Sequence, residues 1–111
     1  MSIGSYAFYE CLSLKSITFP STLKTIGSYT MYYCRALETV AFEAPSSLTS
    51  IGEGAFSTCD SLTRIEFSNS TSKWNAIEKG SVWNNFTGEY MVYCSNGVVE
   101  KIIETEEEEI A

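Results

Sequence analysis

One phrase occurs three times in the first two thirds of this 111-residue chain, and this repetition limits the possible folds more than any other feature. It reads IGSYAFYECLSLKSITF from Ile3, IGSYTMYYCRALETVAF from Ile26 and IGEGAFSTCDSLTRIEF from Ile51, so the steps are 23 and 25 residues. Repeats of this length are typical of solenoids, in which one coil cannot bury its apolar side alone. We therefore expect matching residues of the three phrases to stack in columns within a shared core.

Each phrase ends in a short alternation of polar and apolar residues, which predicts strands at 16–19, 39–42 and 64–67. In the first of these, Ile17 should point inward and Thr18 outward. Stacked coils would join the strands in a parallel sheet with a spacing of about 4.8 Å. The segments that follow each Ile-Gly pair are too short for full helices, so we expect a helical or 3₁₀ turn opposite the sheet. The glycines of these pairs would permit a tight bend.

The pattern changes after Phe67. The segment NSTSKWNAIEKG predicts a short helix that a Ser or Thr near Thr71 caps and that Gly80 ends. Asn96-Gly97 lies between two apolar runs and predicts a β-hairpin with strands near 90–94 and 98–103. The aromatic residues of this part are expected to cover the open end of the third coil, as a solenoid requires. They are Trp74, Trp83, Phe86 and Tyr90.

The pattern I-G-x-x-A-F-x-x-C-x-x-L-x-x-I-x-F resembles the BspA-type leucine-rich repeat over about residues 3–67. The ending W-x-x-I…W-N…T-G…Y-x-V-x-C-x-x-G is similar to the terminal unit of such arrays. The resemblance implies a leucine-rich repeat solenoid with short parallel β-strands, helical or 3₁₀ turns on the opposite face, and a short helix and hairpin as a C-terminal cap. On this basis we divide the chain into three repeats (1–68), a capping unit (69–104) and an acidic tail (105–111).

The net charge of −7 is unevenly placed, because Glu104 and Glu106 to Glu109 supply five of the negative charges. Such a run is typical of a solvated end of the chain. No Lys/Arg patch is present to bind phosphates, so a nucleic-acid partner is not expected. No stretch approaches the roughly 20 apolar residues that span a bilayer, so membrane insertion is not expected. This chain also carries no basic segment followed by an apolar run, the pattern of a signal peptide.

The sequence contains no histidine, which removes the usual general base and the partner of most nucleophiles. Glu43 and Glu66 would lie on the outward side of adjacent strands. A pair of carboxylates forms the catalytic site of a glycosidase. Two solvated acids on a sheet face explain them better. No phosphate-binding loop, metal-ligand triad or cofactor motif occurs. We therefore expect no enzymatic activity, no metal and no cofactor.

Three cysteines, Cys11, Cys34 and Cys59, share one repeat position and should form a column inside the solenoid. Free cysteine behaves as a small buried apolar residue, which is the preferred interpretation. A disulfide between neighbouring coils is the alternative, although parallel side chains give poor geometry for it. A zinc site is less favoured because the column is not tetrahedral. Cys94 is expected to face inward in the hairpin.

Two exposed surfaces are candidates for binding. The first is the outward side of the strands and their ends, formed by Ser16, Thr18, Thr39, Ala41, Glu43, Arg64 and Glu66. The second is a group of tyrosines on the turn segments, where aromatic rings are favoured for contacts with partners. Among these, Tyr9 and Tyr32 are expected to pack between coils, and Tyr6 and Tyr29 to be more exposed.

The family resemblance implies a non-catalytic adhesion and interaction module of a cell-surface or secreted protein. Its partner would be a protein or a glycan on another cell or in the matrix. The alternative is a purely structural role as the terminal cap or spacer of a larger repeat protein. Only Met1 and Ser2 precede the first Ile, so the first coil lacks a cap. We hypothesise that this coil continues an upstream array or that its open face self-associates.

Overall fold

The computed structural model describes residues 2–100, which form a solenoid of four coils. Each coil contributes one strand to each of two parallel ladders, and one short helix lies between the third and fourth coils. The elements are β1 Ser2–Ile3, β2 Ser16–Phe19, β3 Thr25–Ile26, β4 Thr39–Phe42, β5 Ser50–Ile51, β6 Arg64–Phe67, α1 Thr71–Ala76, β7 Glu78–Lys79, β8 Met91–Cys94 and β9 Gly97–Glu100. The predicted acidic tail at 105–111 lies outside the described residues. No helix among residues 2–100 has the length and apolarity needed to cross a bilayer.

The longer ladder has the strand order β2-β4-β6-β8-β9, and its first four strands are parallel. Phe19 pairs with Phe42, and Phe42 pairs with Phe67, which confirms the predicted strands and their stacking. The predicted hairpin is also present, because β9 returns antiparallel to β8. The part of its second predicted strand that follows Glu100 lies outside the described residues.

The shorter ladder has the order β1-β3-β5-β7 and consists of two-residue strands. Ile3, Ile26, Ile51 and Lys79 lie in register along it. Lys79 thus begins a fourth coil, after a step of 28 residues in which α1 is inserted. The fourth coil extends both ladders beyond the three repeats that the sequence pattern marks.

The turn segments contain 3₁₀-type hydrogen bonds, such as the one from Cys11 N to Phe8 O at 3.2 Å. The intervening N–H groups bond to the next coil instead, as Phe8 N does to Thr30 O at 2.8 Å. Two equivalent positions in each coil have positive φ, which interrupts the 3₁₀ pattern, so the turns do not extend into helices. These positions hold Tyr6, Tyr29, Gly54 and Val82, and Glu10, Tyr33, Thr58 and Phe86.

The core is a set of stacked columns between the two ladders. The rings of Phe19 and Phe42 stack with their centroids 5.3 Å apart, and Leu37 and Leu62 are fully buried. Phe19 of the first coil is buried too, but most other core residues of that coil are only partly buried, among them Leu14. The reason is positional, because within residues 2–100 nothing packs on the outer side of the first coil.

The helix α1 begins as predicted but ends earlier. Ser70 caps its start by accepting a hydrogen bond from Lys73 N at 3.2 Å. It ends at Ala76 rather than at Gly80, because Ile77 is extended and the next two residues form β7. Trp74 of this helix is buried edge-on against Phe67, with the ring centroids 5.3 Å apart.

The aromatic cover of the third coil differs from the prediction in one member. Tyr90 is buried, and Trp83 packs against Phe56 with the ring centroids 6.2 Å apart. Phe86 is 74% exposed and takes no part in the cover. It occupies one of the positive-φ turn positions, where the equivalent Glu10 is exposed and Tyr33 and Thr58 are partly exposed.

Candidate binding surfaces

The strand face is the outward side of the longer ladder, and the structure brings six of its seven predicted residues together there. They lie in two in-register rows, which are Ser16–Thr39–Arg64–Met91 and Thr18–Ala41–Glu66–Tyr93. Every member of the rows is at least partly exposed. Glu43 is exposed one residue beyond the end of β4, next to the face but outside the rows.

Charge and aromatic area are concentrated at one end of the strand face. Arg64 Nε donates to Glu66 Oε2 at 2.6 Å, and the guanidinium carbon lies 4.1 Å from the ring centroid of Tyr93. Glu66 pairs across the sheet with Ala41, and Glu43 lies diagonally beyond this pair, past the end of β4. Tyr93 was missed from the sequence, although the alternation of the hairpin strand would have placed it on this side.

The tyrosine cluster is a second surface, formed on the turn segments by Tyr6, Tyr9, Tyr29, Tyr32 and Tyr33. Equivalent rings stack from coil to coil, at centroid distances of 5.4 Å for Tyr6 and Tyr29 and 5.6 Å for Tyr9 and Tyr32. The two stacks meet edge-on, at 5.6 Å within the first coil and 5.5 Å within the second. Tyr33 adds a further edge-on contact with Tyr32 at 4.8 Å.

Exposure within this cluster follows the coil rather than the repeat position. Tyr6 is 55% and Tyr9 42% exposed, whereas Tyr29 and Tyr32 are half-buried. Tyr9 and Tyr32 pack between coils as expected, although Tyr9 stays largely exposed. Tyr6 is exposed as expected, whereas Tyr29 is half-buried and is not among the more exposed rings. Parallel stacking covers one face of a ring in the first coil and leaves its other face open.

The three repeated cysteines lie where the coils meet, and all four cysteines of the chain are free thiols. Cys34 Sγ donates to Phe8 O at 3.0 Å, and Cys59 Sγ donates to Met31 O at 3.1 Å. Each of these thiols thus bonds to a carbonyl of the preceding coil. Burial raises the pKa of Cys11 and of the half-buried Cys94.

A cavity of ≈ 230 Å³ lies between α1, the fourth coil and β9, and it is lined by Trp74, Asn75, Lys79, Trp83, Asn84, Tyr90, Val99 and Glu100. Its lysine is engaged, because Lys79 Nζ donates to the carbonyls of Trp74 at 2.8 Å and Ile77 at 3.2 Å. Burial lowers the pKa of this amine. Asn84 Nδ2 donates to the hydroxyl of Tyr90 at 2.9 Å. These polar groups hold the end of the helix and the aromatic cover, and they do not form an acid–base pair.

Residues 2–100 contain no cluster of three or more acidic, histidine or cysteine side chains that could hold a metal ion.

A family model described as a BspA type leucine rich repeat region matches residues 1–97 in six copies, a range that includes the fourth coil. Among solved structures, the crystal structure of the T. pallidum leucine-rich repeat protein is similar, with 23% sequence identity and a TM-score of 0.45. The similarity covers 77% of this chain and 47% of that one, so the chain spans about half the length of that protein. No curated protein matches the chain.

Proposed function

Because the chain belongs to the BspA-type leucine-rich repeat family, we propose that it is a non-catalytic adhesion module of a cell-surface or secreted protein. Leucine-rich repeats generally mediate protein binding, and repeat solenoids present extended surfaces rather than deep pockets for this purpose. In this chain the strand face would contact a protein or a glycan on another cell or in the matrix.

The observation that carries this proposal is the group formed by Arg64, Glu66 and Tyr93 on the strand face. Arg64 lies over the Tyr93 ring at 4.1 Å and is held there by Glu66. Arginine and tyrosine are the residue types that most often dominate binding energy at interfaces. Because the rows contain only four strands, the face is small beside the ~800 Å² that each partner buries in a standard interface. We therefore expect weak binding by one chain and stronger binding when several copies act together.

Binding of the purified chain to arrays of matrix proteins and glycans tests the proposal, with Arg64→Ala as the variant. Arg35→Ala is the matched control, because Arg35 also forms an exposed ion pair, with Asp60 at 2.8 Å, but lies outside the strands. We expect Arg64→Ala to weaken binding about tenfold, as loss of an interface arginine does, and Arg35→Ala to leave it unchanged. Absence of binding to every array member, or equal loss in the two variants, would contradict the proposal.

A structural role as a terminal cap is the second candidate, and the end of the longer ladder favours it. The antiparallel strand β9 finishes the parallel series, and Trp74 and Tyr90 bury their rings at this end. Fusion of additional coils before Ser2 separates the two functions. A large gain in stability without any binding would favour the cap, and a gain in binding with each added coil would favour the adhesion module.

A further inference from the structure

We propose that the cavity between α1, the fourth coil and β9 binds a uronic acid residue, which is a sugar ring with a carboxylate, as part of an acidic glycan. None of the residues that line the cavity belongs to the rows of the strand face, so this inference does not depend on the function proposed for that face. The volume of ≈ 230 Å³ is below the ~300–1,000 Å³ of pockets for drug-sized ligands, so the cavity suits one ring rather than a longer segment of polymer.

The first argument is the half-buried ammonium group of Lys79, which lines the cavity without a carboxylate partner. Its Nζ donates to the carbonyls of Trp74 and Ile77, at 2.8 Å and 3.2 Å, and lies 4.8 Å from the ring centroid of Trp74. The ion pairs within residues 2–100 belong to Arg35 and Arg64 and do not include this lysine. An ammonium group has three N–H donors, so one remains for a ligand. Charges that are removed from water are usually paired, and a carboxylate that enters the cavity would supply the missing partner.

The second argument is an unused acceptor in the lining of the cavity. Asn84 is only 7% exposed, and its Nδ2 donates to the hydroxyl of Tyr90 at 2.9 Å. Its Oδ1 accepts no hydrogen bond from residues 2–100, and no side-chain oxygen in this part of the chain is both buried and unpartnered. This oxygen is therefore open to solvent, and the cavity is the space that Asn84 lines. A sugar hydroxyl can donate to this oxygen, whereas a simple carboxylate cannot.

The third argument is the aromatic part of the lining. Trp83 is partly exposed and packs against Trp74 and Tyr90, with ring centroids 6.1 Å and 6.0 Å away, so neighbouring rings hold it in place. One face of a sugar ring carries mainly C–H groups, which pack on an aromatic ring while the hydroxyl groups form hydrogen bonds. A neutral sugar would leave Lys79 unpaired, and a cationic ligand would be repelled by it. The rings, the unpaired ammonium and the open acceptor together match an acidic sugar.

Titration of the full chain with the methyl glycosides of glucuronic and galacturonic acid tests the proposal. Each is compared with the neutral methyl glycoside of the same sugar, which lacks the carboxylate. Both tryptophans of the chain line the cavity, so the NMR signals of their indole N–H groups report on it directly. We expect an acidic sugar to shift these signals with roughly millimolar affinity, because a single ring makes few contacts. Its neutral counterpart should bind about tenfold more weakly, since it forms no charged hydrogen bond with Lys79.

The variant Lys79→Gln removes the charge and keeps a hydrogen-bond donor, so it should reduce the affinity for the acidic sugar to that for the neutral one. Lys73→Gln is the matched control, because Lys73 is an exposed lysine of α1 that does not line the cavity. We expect this control, and Arg64→Ala on the strand face, to bind the acidic sugar as the parent chain does. The comparison of acidic with neutral sugars is made on the parent chain, so it tests the proposal even if Lys79→Gln fails to fold.

Three outcomes would overturn the proposal. The first is the absence of any shift of the indole signals when either acidic sugar is added to the parent chain. If binding then appears after Glu104 and Glu106 to Glu109 are changed to glutamine, the occupant of the cavity is the chain's own acidic run. The second is equal affinity for the acidic and neutral sugars, which would make the cavity a neutral sugar site. The third is unchanged affinity for the acidic sugar in a folded Lys79→Gln variant.

Discussion

Single residues set how closely the coils approach one another, and glycine is the clearest case. A Cβ on Gly27, Gly52 or Gly80 would lie 2.5–2.7 Å from a backbone nitrogen of the preceding coil. Around Gly4 in the first coil there is no atom within 4 Å of the equivalent point. The glycine column is therefore needed for close contact between coils. The tight bend expected from the sequence is not the reason, because none of these glycines has a left-handed φ.

Gly52→Ala should accordingly destabilise the protein and Gly4→Ala should not. We expect Gly52→Ala to cost about 1–3 kcal/mol, as overpacking against a rigid neighbour does, and Gly4→Ala to change stability by less than about 0.5 kcal/mol. Urea unfolding of the two variants measures the difference. An equal effect of the two substitutions would show that the coils are not in backbone contact at this column.

Tyr90 makes the stability of the folded protein depend on pH. Burial raises its pKa from its ordinary value near 10 to about 12, so the folded protein holds this proton more tightly than the unfolded chain does. Stability from this group is complete below about pH 10 and is lost as the pH rises towards 12, a change of about 2–3 kcal/mol. Tyr90→Phe should remove this part of the alkaline loss in urea unfolding between pH 9 and pH 12. If the unfolding free energy fell equally steeply with pH in the parent protein and in Tyr90→Phe, this would count against a buried Tyr90 hydroxyl.

At the scale of secondary-structure elements, the sequence predicts those elements that show a periodic pattern of apolar residues or a characteristic turn residue. The alternation of Ser16–Phe19 marks a strand, and Asn96-Gly97 marks the hairpin. The shorter ladder was not predicted, because two-residue strands such as Thr25–Ile26 carry no periodicity. The left-handed turns were also missed, since tyrosine is an unusual residue for a positive φ. The tyrosine cluster was consequently only half described, because Tyr6 is exposed as expected but Tyr29 is not.

The helix α1 depends on its N-cap. Ser70→Ala removes the side-chain acceptor of the Lys73 N–H and should cost about 1 kcal/mol. Ser72→Ala is the control, because Ser72 is exposed within the same helix and alanine is a better helix former. Thermal unfolding followed by circular dichroism compares the two. If Ser70→Ala left the thermal stability unchanged, packing of Trp74 alone would hold the helix.

Across the whole molecule, burial rises from the first coil inward. Leu14 is partly buried, whereas its counterparts Leu37 and Leu62 are fully buried. A solenoid of this kind is stabilised by contacts between neighbouring coils, so a coil with one neighbour is less stable than a coil with two. The repeat pattern treats the three coils alike, so the depth of burial in each coil required the structure.

Amide hydrogen exchange should therefore be uneven. We expect the slowest exchange in β4 and β6, and faster exchange in β2, which has a paired strand on one side only. Equal protection of β2 and β4 in dilute solution would indicate that another chain covers the first coil, as the self-association hypothesis requires. Sedimentation at the same concentration distinguishes that case from a monomer of uniform stability.

The central claim is that matching residues of successive repeats lie side by side in parallel strands. Backbone NOEs on isotopically labelled protein measure this directly in the longer ladder. The structure predicts cross-strand contacts that link Thr18 with Ala41 and Ala41 with Glu66. Contacts shifted by even one residue, or an antiparallel pattern between β4 and β6, would contradict the stacking on which both binding surfaces rest.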